Sequence, residues 1–202
     1  MGQSETAEAG AAAPAGIDRV AEKRRRILAA ARFLMLRHGV RGTTMELIAR
    51  AAGIAKPTLY AQFADKEAVL AGIVAELLVE LGAAFGAGLA GPGSAAERIG
   101  AALAAKHGVI TRLLEGSPHA EELFNEHHRM ADRFRAFDER VEREIEAVLE
   151  AAGASPALAR TVIAAAYGIA RKLPDARAVE AATRLVCRRV IEPEVGGAVT
   201  VS

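Results

Sequence analysis

Signals that stop and start helices recur along this chain, and signals for strands do not. Gly39, Gly53 and Gly153 each follow a stretch of helical period, where glycine closes a helix at little conformational cost. Ser117-Pro118 and Ser155-Pro156 each read as a helix start, with Ser as cap and Pro in the first turn. Thr43-Thr44-Met45-Glu46, and Ser94 with Glu97, read as capping boxes. Between these signals, apolar residues return every three or four positions. The apolar content is mostly Ala, Leu and Val, aromatics are 4% and Trp is absent. Runs of alternating β-branched residues are missing, which excludes a β-sandwich or barrel. The expected fold class is all-α.

The spacing predicts helices over 18–37, 44–52 and 56–63, and one from Lys66 to Gly82 or beyond. Val20, Ile27, Ala31 and Leu34 form the inner face of the first helix, and Leu47, Ile48 and Ala51 that of the second. A helix from Ser94 to Glu115 is expected to kink at Gly108. The longest helix is expected from Ser117 to Ala152, on a stripe including Leu123, Met130, Phe134, Phe137, Val141, Ile145 and Val148. Two more follow, from Ser155 to Leu173 and from Pro174-Asp175 to about Ile191. Residues 1–16 are small, polar and broken by Gly and Pro, and are expected as a disordered arm. The tail 193–202 is expected to be flexible.

Cys187 is the single cysteine, so an intrachain disulfide and a cysteine-based zinc site are excluded. Residues 1–16 carry Glu5 and Glu8 and no Lys or Arg, unlike the basic start of a signal peptide. Glu76 and Glu80 interrupt the most apolar stretch, so no membrane partner is expected. A reducing, bacterial cytoplasm fits this composition.

A net charge of +1 hides an asymmetry. Residues 17–66 carry eleven Lys or Arg against four Asp or Glu, while residues 67–202 carry fifteen against nineteen. A basic front on an acidic body implies a polyanionic partner for the front. Inside that front, two short helices meet at Gly53, with small Ala49, Ala52 and Ala55 where they touch and Ile54 as an apolar plug. Lys56 and Thr58 begin the second helix. This is the pattern of a helix-turn-helix whose second helix enters a major groove. An ordinary helical corner has the same pattern.

Residues 24–70, RRRILAAARFLMLRHGVRGTTMELIARAAGIAKPTLYAQFADKEAVL, resemble the DNA-binding domain of TetR-family transcriptional repressors. The matches are Ile27, Ala30, Ala31, Phe33 and Gly39, then Thr43-Thr44, Ile48-Ala49 and Ala52-Gly53. The most diagnostic block is Leu59-Tyr60-Ala61-Gln62-Phe63 followed by Lys66-Glu67. One departure is Ala55, where the family commonly has a capping Ser or Thr. The resemblance implies a three-helix DNA-binding domain over 17–66 and a helical effector-binding and dimerisation domain over 67–192. It implies DNA contacts from Arg41, Thr43, Thr44, Lys56, Pro57, Thr58, Tyr60 and Lys66, with Leu59 and Phe63 holding the helix in its core. It further implies a non-enzymatic, ligand-responsive, homodimeric repressor with no cofactor. Its partners would be a near-palindromic double-stranded operator, a second copy of itself and an unidentified small-molecule effector.

In the body, aromatics are scarce, and a cluster of His107, Phe124, His128, Met130, Phe134 and Tyr167 is the expected pocket lining. Ala165 and Gly168, with Val179, Leu185 and Val186, are the expected dimer contacts. His107, His119, His127 and His128 lie near Glu121, Glu122 and Glu126, but without the spacing of a metal site, so no metal is expected. Two other classes remain open on the sequence alone: a helical interaction module with a basic face, and a metal-dependent enzyme using that His/Glu cluster.

Overall fold

The computed structural model describes residues 15–120, 122, 131–173 and 175–196. The described residues form eight helices and no strand: α1 (Ala15–Gly42), α2 (Met45–Ala51), α3 (Lys56–Gln62), α4 (Lys66–Leu89), α5 (Ala95–Leu114), α6 (Ala131–Ala151), α7 (Leu158–Lys172) and α8 (Ala176–Gly196). The local signals explain most of the boundaries. Asp65 accepts from the Ala68 amide at 2.7 Å to open α4, and Asp175 accepts from the Ala178 amide at 2.8 Å to open α8. Ser94 and Glu97 form both halves of a capping box at α5.

Two buried clusters divide the chain. The first joins Ile27, Leu28, Ala31 and Leu34 of α1 to Ile48 and Ala49 of α2, and to Leu59, Phe63 and Val69. The second joins Leu81, Phe85 and Leu89 of α4 to Ile99 and Leu103 of α5. It continues through Phe134, Phe137, Val141, Ile145 and Leu149 of α6 and into α7 and α8. α4 therefore begins in one core and ends in the other. By length and composition α4 could cross a membrane, yet here its Val69, Leu70, Val74, Leu81, Phe85 and Leu89 are buried within the fold.

Several expectations are corrected. Val20 is exposed, because α1 overhangs the small core at its start. In α2 the fully inward pair is Ile48 and Ala49, whereas Ala51 faces out. Residues 15–16, assigned to the arm, are helical, and residues 1–14 lie outside the described part. α5 runs through Gly108 as one helix; Gly108 gives room to the Glu180 carboxylate, which a Cβ would meet at 2.7 Å. α8 continues past Pro193 to Gly196. The ring removes one backbone donor there, in an exposed last turn. The first half of the expected longest helix falls mostly on residues outside the described part.

Close helix contacts in the body rely on small residues. Cys187 of α8 is 1% exposed, and a Cβ on Gly100 of α5 would lie 3.3 Å from its Cβ. At Gly88 the α4 and α5 backbones nearly touch, since a Cβ there would sit 2.6 Å from Ala102 Cα. Gly86, two residues earlier, has open space. Alanine is the better helix former by about 1 kcal/mol. Gly86→Ala should therefore raise stability by up to about 1 kcal/mol, while Gly88→Ala should lower it by about 1–3 kcal/mol because backbone cannot yield. Urea unfolding of both variants checks this; equal shifts would mean that the α4–α5 contact is loose.

Candidate nucleic-acid interface

The turn between α2 and α3 is built from hydrogen bonds that glycine permits. Gly53 has φ +64°, its amide donates to Arg50 O at 3.1 Å, and the Ile54 amide donates to Ala49 O at 3.0 Å. This is a Schellman closure, with Ile54 turned towards the core as its apolar contact. Arg26 reaches across from α1 and donates to Ala52 O at 2.7 Å. Arg24 lies over the Phe63 ring, 4.5 Å from its centroid. α1 thereby clamps the end of α2 and the end of α3. Leu59 is fully buried beneath α3, which leaves the opposite face outward.

That outward face carries Lys56, Pro57 and Tyr60, all exposed, with Thr58 half-buried beside them. Arg41, in the last turn of α1, and Thr44, at the start of α2, are exposed beside it. Thr44 is the N-cap, its oxygen accepting from the Leu47 amide at 3.2 Å. Glu46 does not complete the expected capping box. It pairs instead with Lys56 across the turn, and that hydrogen bond and charge hold its carboxyl below the usual carboxylate range.

Two residues expected at the DNA face turn inward. Thr43 is fully buried: its hydroxyl donates to Gly39 O at 2.8 Å and its amide to Val40 O at 3.4 Å. Both groups are occupied by the turn that ends α1, so neither points to solvent. Lys66 is half-buried and donates from Nζ to Val40 O at 2.7 Å. It ties α4 to the end of α1.

In the body, a cavity of about 480 Å³ opens between α1, α4, α5, α6 and α7. His107, Phe134 and Tyr167 line it; Phe124, His128 and Met130 lie outside the described residues. Sequence reasoning passed over Lys106, which is 6% exposed and donates to Asp138 Oδ1 at 3.3 Å. Its signal was its place on the Ile99, Leu103, Ile110 stripe of α5, where a lysine is out of pattern. Burial draws the Lys106 ammonium below its ordinary range, and Asp138 opposes that. Burial, with Lys106 alongside, pushes His107 down to about 3. Of the expected dimer contacts, Val179 is fully buried within its own chain, because that face of α8 packs into the body. Leu185 and Gly168 are exposed, and Ala165 and Val186 are half-buried. Among the described residues, no group of three His, Cys, Asp or Glu is placed to hold a metal ion; His127 and His128 lie outside them.

Residues 27–73 match the family model described as bacterial regulatory proteins, tetR family. A transcriptional regulator of the TetR/AcrR family from Thermobifida fusca YX-ER1 superposes with a TM-score of 0.56 at 27% identity, covering 89% of this chain and 100% of that one. Residues 27–73 therefore carry a tetR-family regulatory domain, set in a fold shared with TetR-family regulators. That fold recurs in a TetR transcriptional regulator from Chloroflexus aurantiacus J-10-FL, with a TM-score of 0.63 at 22% identity over 86% of this chain and 96% of that one. It recurs again in a TetR-like transcriptional regulator from Rhodococcus sp. RHA1, with a TM-score of 0.62 at 19% identity over 86% and 96% of the two chains. No curated protein matches the chain.

The start of α3 and the buried His107 can each be tested by substitution. Ala55 is the N-cap of α3, extended at φ −70° and ψ 146°, with no side-chain cap. Ala55→Ser places an oxygen before the Thr58 amide and should raise stability by about 0.5–2 kcal/mol in thermal unfolding. No gain would mean that the α3 start is already fully satisfied. His107, neutral in the fold to about pH 3, titrates near 6.5 when unfolded. Below that pH the unfolded chain takes up a proton that the folded chain refuses, so stability is lost as pH falls from about 6.5 towards 3. The slope from this group approaches about 1.4 kcal/mol per pH unit. His107→Gln should flatten that slope between pH 6 and 4; an unchanged slope would show that His107 accepts a proton in the folded state.

Proposed function

We propose that this regulator is a ligand-responsive, homodimeric repressor acting in a bacterial cytoplasm. Residues 17–66 serve as the DNA-binding domain and 67–192 as the effector-binding and dimerisation domain. The observation that carries the reading is the composition of the cavity wall. Arg32, Met35 and Leu36 come from α1 of the DNA-binding domain, and Leu70 and Ile73 from the first turns of α4. Lys106, His107, Ile110 and Phe134 come from the body. A molecule held there touches both domains, so it can prefer one arrangement of them over another.

The DNA face consists of Arg41, Thr44, Lys56, Pro57, Thr58 and Tyr60, with Thr43 and Lys66 acting behind it as ties. Lys56 and Thr58 stand at the start of the helix that enters the major groove, and Arg41 and Tyr60 flank it towards phosphate. Dimerisation is supported by an open face on the last two helices. A Cβ at Gly168 meets nothing within 4 Å, and Ala164, Ala181 and Leu185 are exposed on the same two helices. Two such chains present two recognition helices, which calls for half-sites about 34–36 Å apart on a near-palindromic operator.

Selection from a random DNA pool should return a near-palindrome, and light scattering should give a dimer. Arg41→Ala should weaken binding to every sequence alike and reduce the salt slope by about one, whereas Thr58→Ala should alter the preferred base with a cost of about 1–3 kcal/mol. Gly168→Leu should leave the melting temperature of each chain nearly unchanged yet shift the protein towards monomers that bind a palindrome little better than a half-site. A wild-type monomer, or selected sites without symmetry, would overturn the dimeric reading.

A further inference from the structure

The effector cavity proposed above has an uneven distribution of charge. Most of its wall is apolar, running along Leu70, Val74, Leu77, Leu81 and Ile110. Inside that wall sits one ammonium, Lys106, with its side chain 8% exposed. The carboxylate facing it, Asp138, is 46% exposed and accepts only one hydrogen bond from it, at 3.3 Å. Phe137 lies 5.2 Å from the same ammonium and offers its ring face, not an acceptor. An ammonium carries three donors, so beyond Asp138 Lys106 has donor capacity left over among the described residues. Next to it on the wall, His107 is 4% exposed, and its Nε2 has no hydrogen-bond partner among the described residues. A buried, unpartnered ring nitrogen is costly unless something bound there satisfies it.

The other charges lie further out. Arg160 and Glu142 pair with each other at 2.5 Å, with Arg160 largely exposed. Arg32 meets Glu80 at 3.4 Å on the α1 side. Neither pair adds an unmatched negative charge inside the cavity.

Resting on the reading of this cavity as the effector site, we propose that its ligand class is an amphipathic carboxylate. The carboxylate accepts from Lys106 Nζ and from the Nε2–H tautomer of neutral His107. The apolar body lies along Leu70, Val74, Leu77, Leu81 and Ile110. Asp138 competes with the ligand for Lys106 and repels it, so the two residues act with opposite sign. An apolar alcohol satisfies His107 but leaves the ammonium's spare donors unmatched, and an apolar amine meets a like charge.

Titration calorimetry with octanoate, octanol and octylamine, on the full chain near pH 7.5, tests this. Octanoate should bind at least tenfold more tightly than octanol, and octylamine should bind weakest. Lys106→Met, similar in length and apolar, should abolish the preference for octanoate while octanol binding stays within about threefold. Asp138→Asn should strengthen octanoate binding at least threefold, a direction that mere damage to the fold would not produce. Octanol or octylamine binding as tightly as octanoate would overturn the proposal yet keep the cavity as a ligand site. Binding of none of the three probes would overturn the effector reading of the cavity itself. Should Lys106→Met fail to fold, the Asp138→Asn result decides: unchanged or weakened octanoate binding sinks the proposal.

Discussion

The end of α1 leaves backbone carbonyls with no helical partner, and the way they are satisfied holds the two cores together. The Leu36 carbonyl accepts from Ser117 Oγ at 2.6 Å, Gly39 from Thr43 Oγ1 at 2.8 Å, and Val40 from Lys66 Nζ at 2.7 Å. Each donor comes from a different part of the chain: the turn after α5, the approach to α2, and the first residue of α4. Gly39 makes this possible. Its φ of +73° bends the chain out of the helix, and a Cβ there would fall 2.6 Å from Glu122 Oε2 and 2.9 Å from His119 Nδ1. A buried carbonyl without a donor costs on the order of 1–3 kcal/mol, so these links are not freely exchanged for others.

α4 extends the same logic from hydrogen bonding to packing. Its first turns are buried with α1, α2 and α3, and its later turns with α5 and α6. A rigid helix rooted in two cores transmits a tilt from one to the other, and the cavity lies against its middle. The physical requirement for regulation is two arrangements with different ligand affinity. In this chain the parts that would have to rearrange are few: the α1 end, the α4 start and the 115–120 turn.

Local interactions were legible in the sequence, and distant ones were not. The Asp65, Ser94 and Gly53 signals depend on partners within four residues, so their letters alone announce them. The resemblance also implies that Leu59 and Phe63 hold α3 to its core, and both are buried there. Thr43 and Lys66 are expected at the DNA through the family resemblance, yet both donate to carbonyls at the end of α1. The acceptor for Lys66 lies 26 residues away, and no local pattern carries that information; Thr43 bonds only four residues back, and what turns it inward is the bend at Gly39. Glu46 leaves its expected capping box for a partner that is likewise distant, Lys56, ten residues on. The cavity follows a middle course. His107 and Tyr167 were legible as polar or aromatic residues on apolar faces, whereas the pairing of Lys106 with Asp138 needs α5 and α6 side by side.

Cys187 lies deep in the α5–α8 contact, and burial pushes its thiol up to about 11. At neutral pH almost none of it is the thiolate that reacts with electrophiles or oxidants. The chain therefore arrives with its only sulfhydryl already silenced by packing. A cysteine introduced on the exposed face of α3 would be the single reactive handle on the surface, ready for a fluorophore or spin label without first removing the native one. In the proposed dimer, the distance between two such labels would report the spacing of the two α3 helices in solution, with and without a bound molecule.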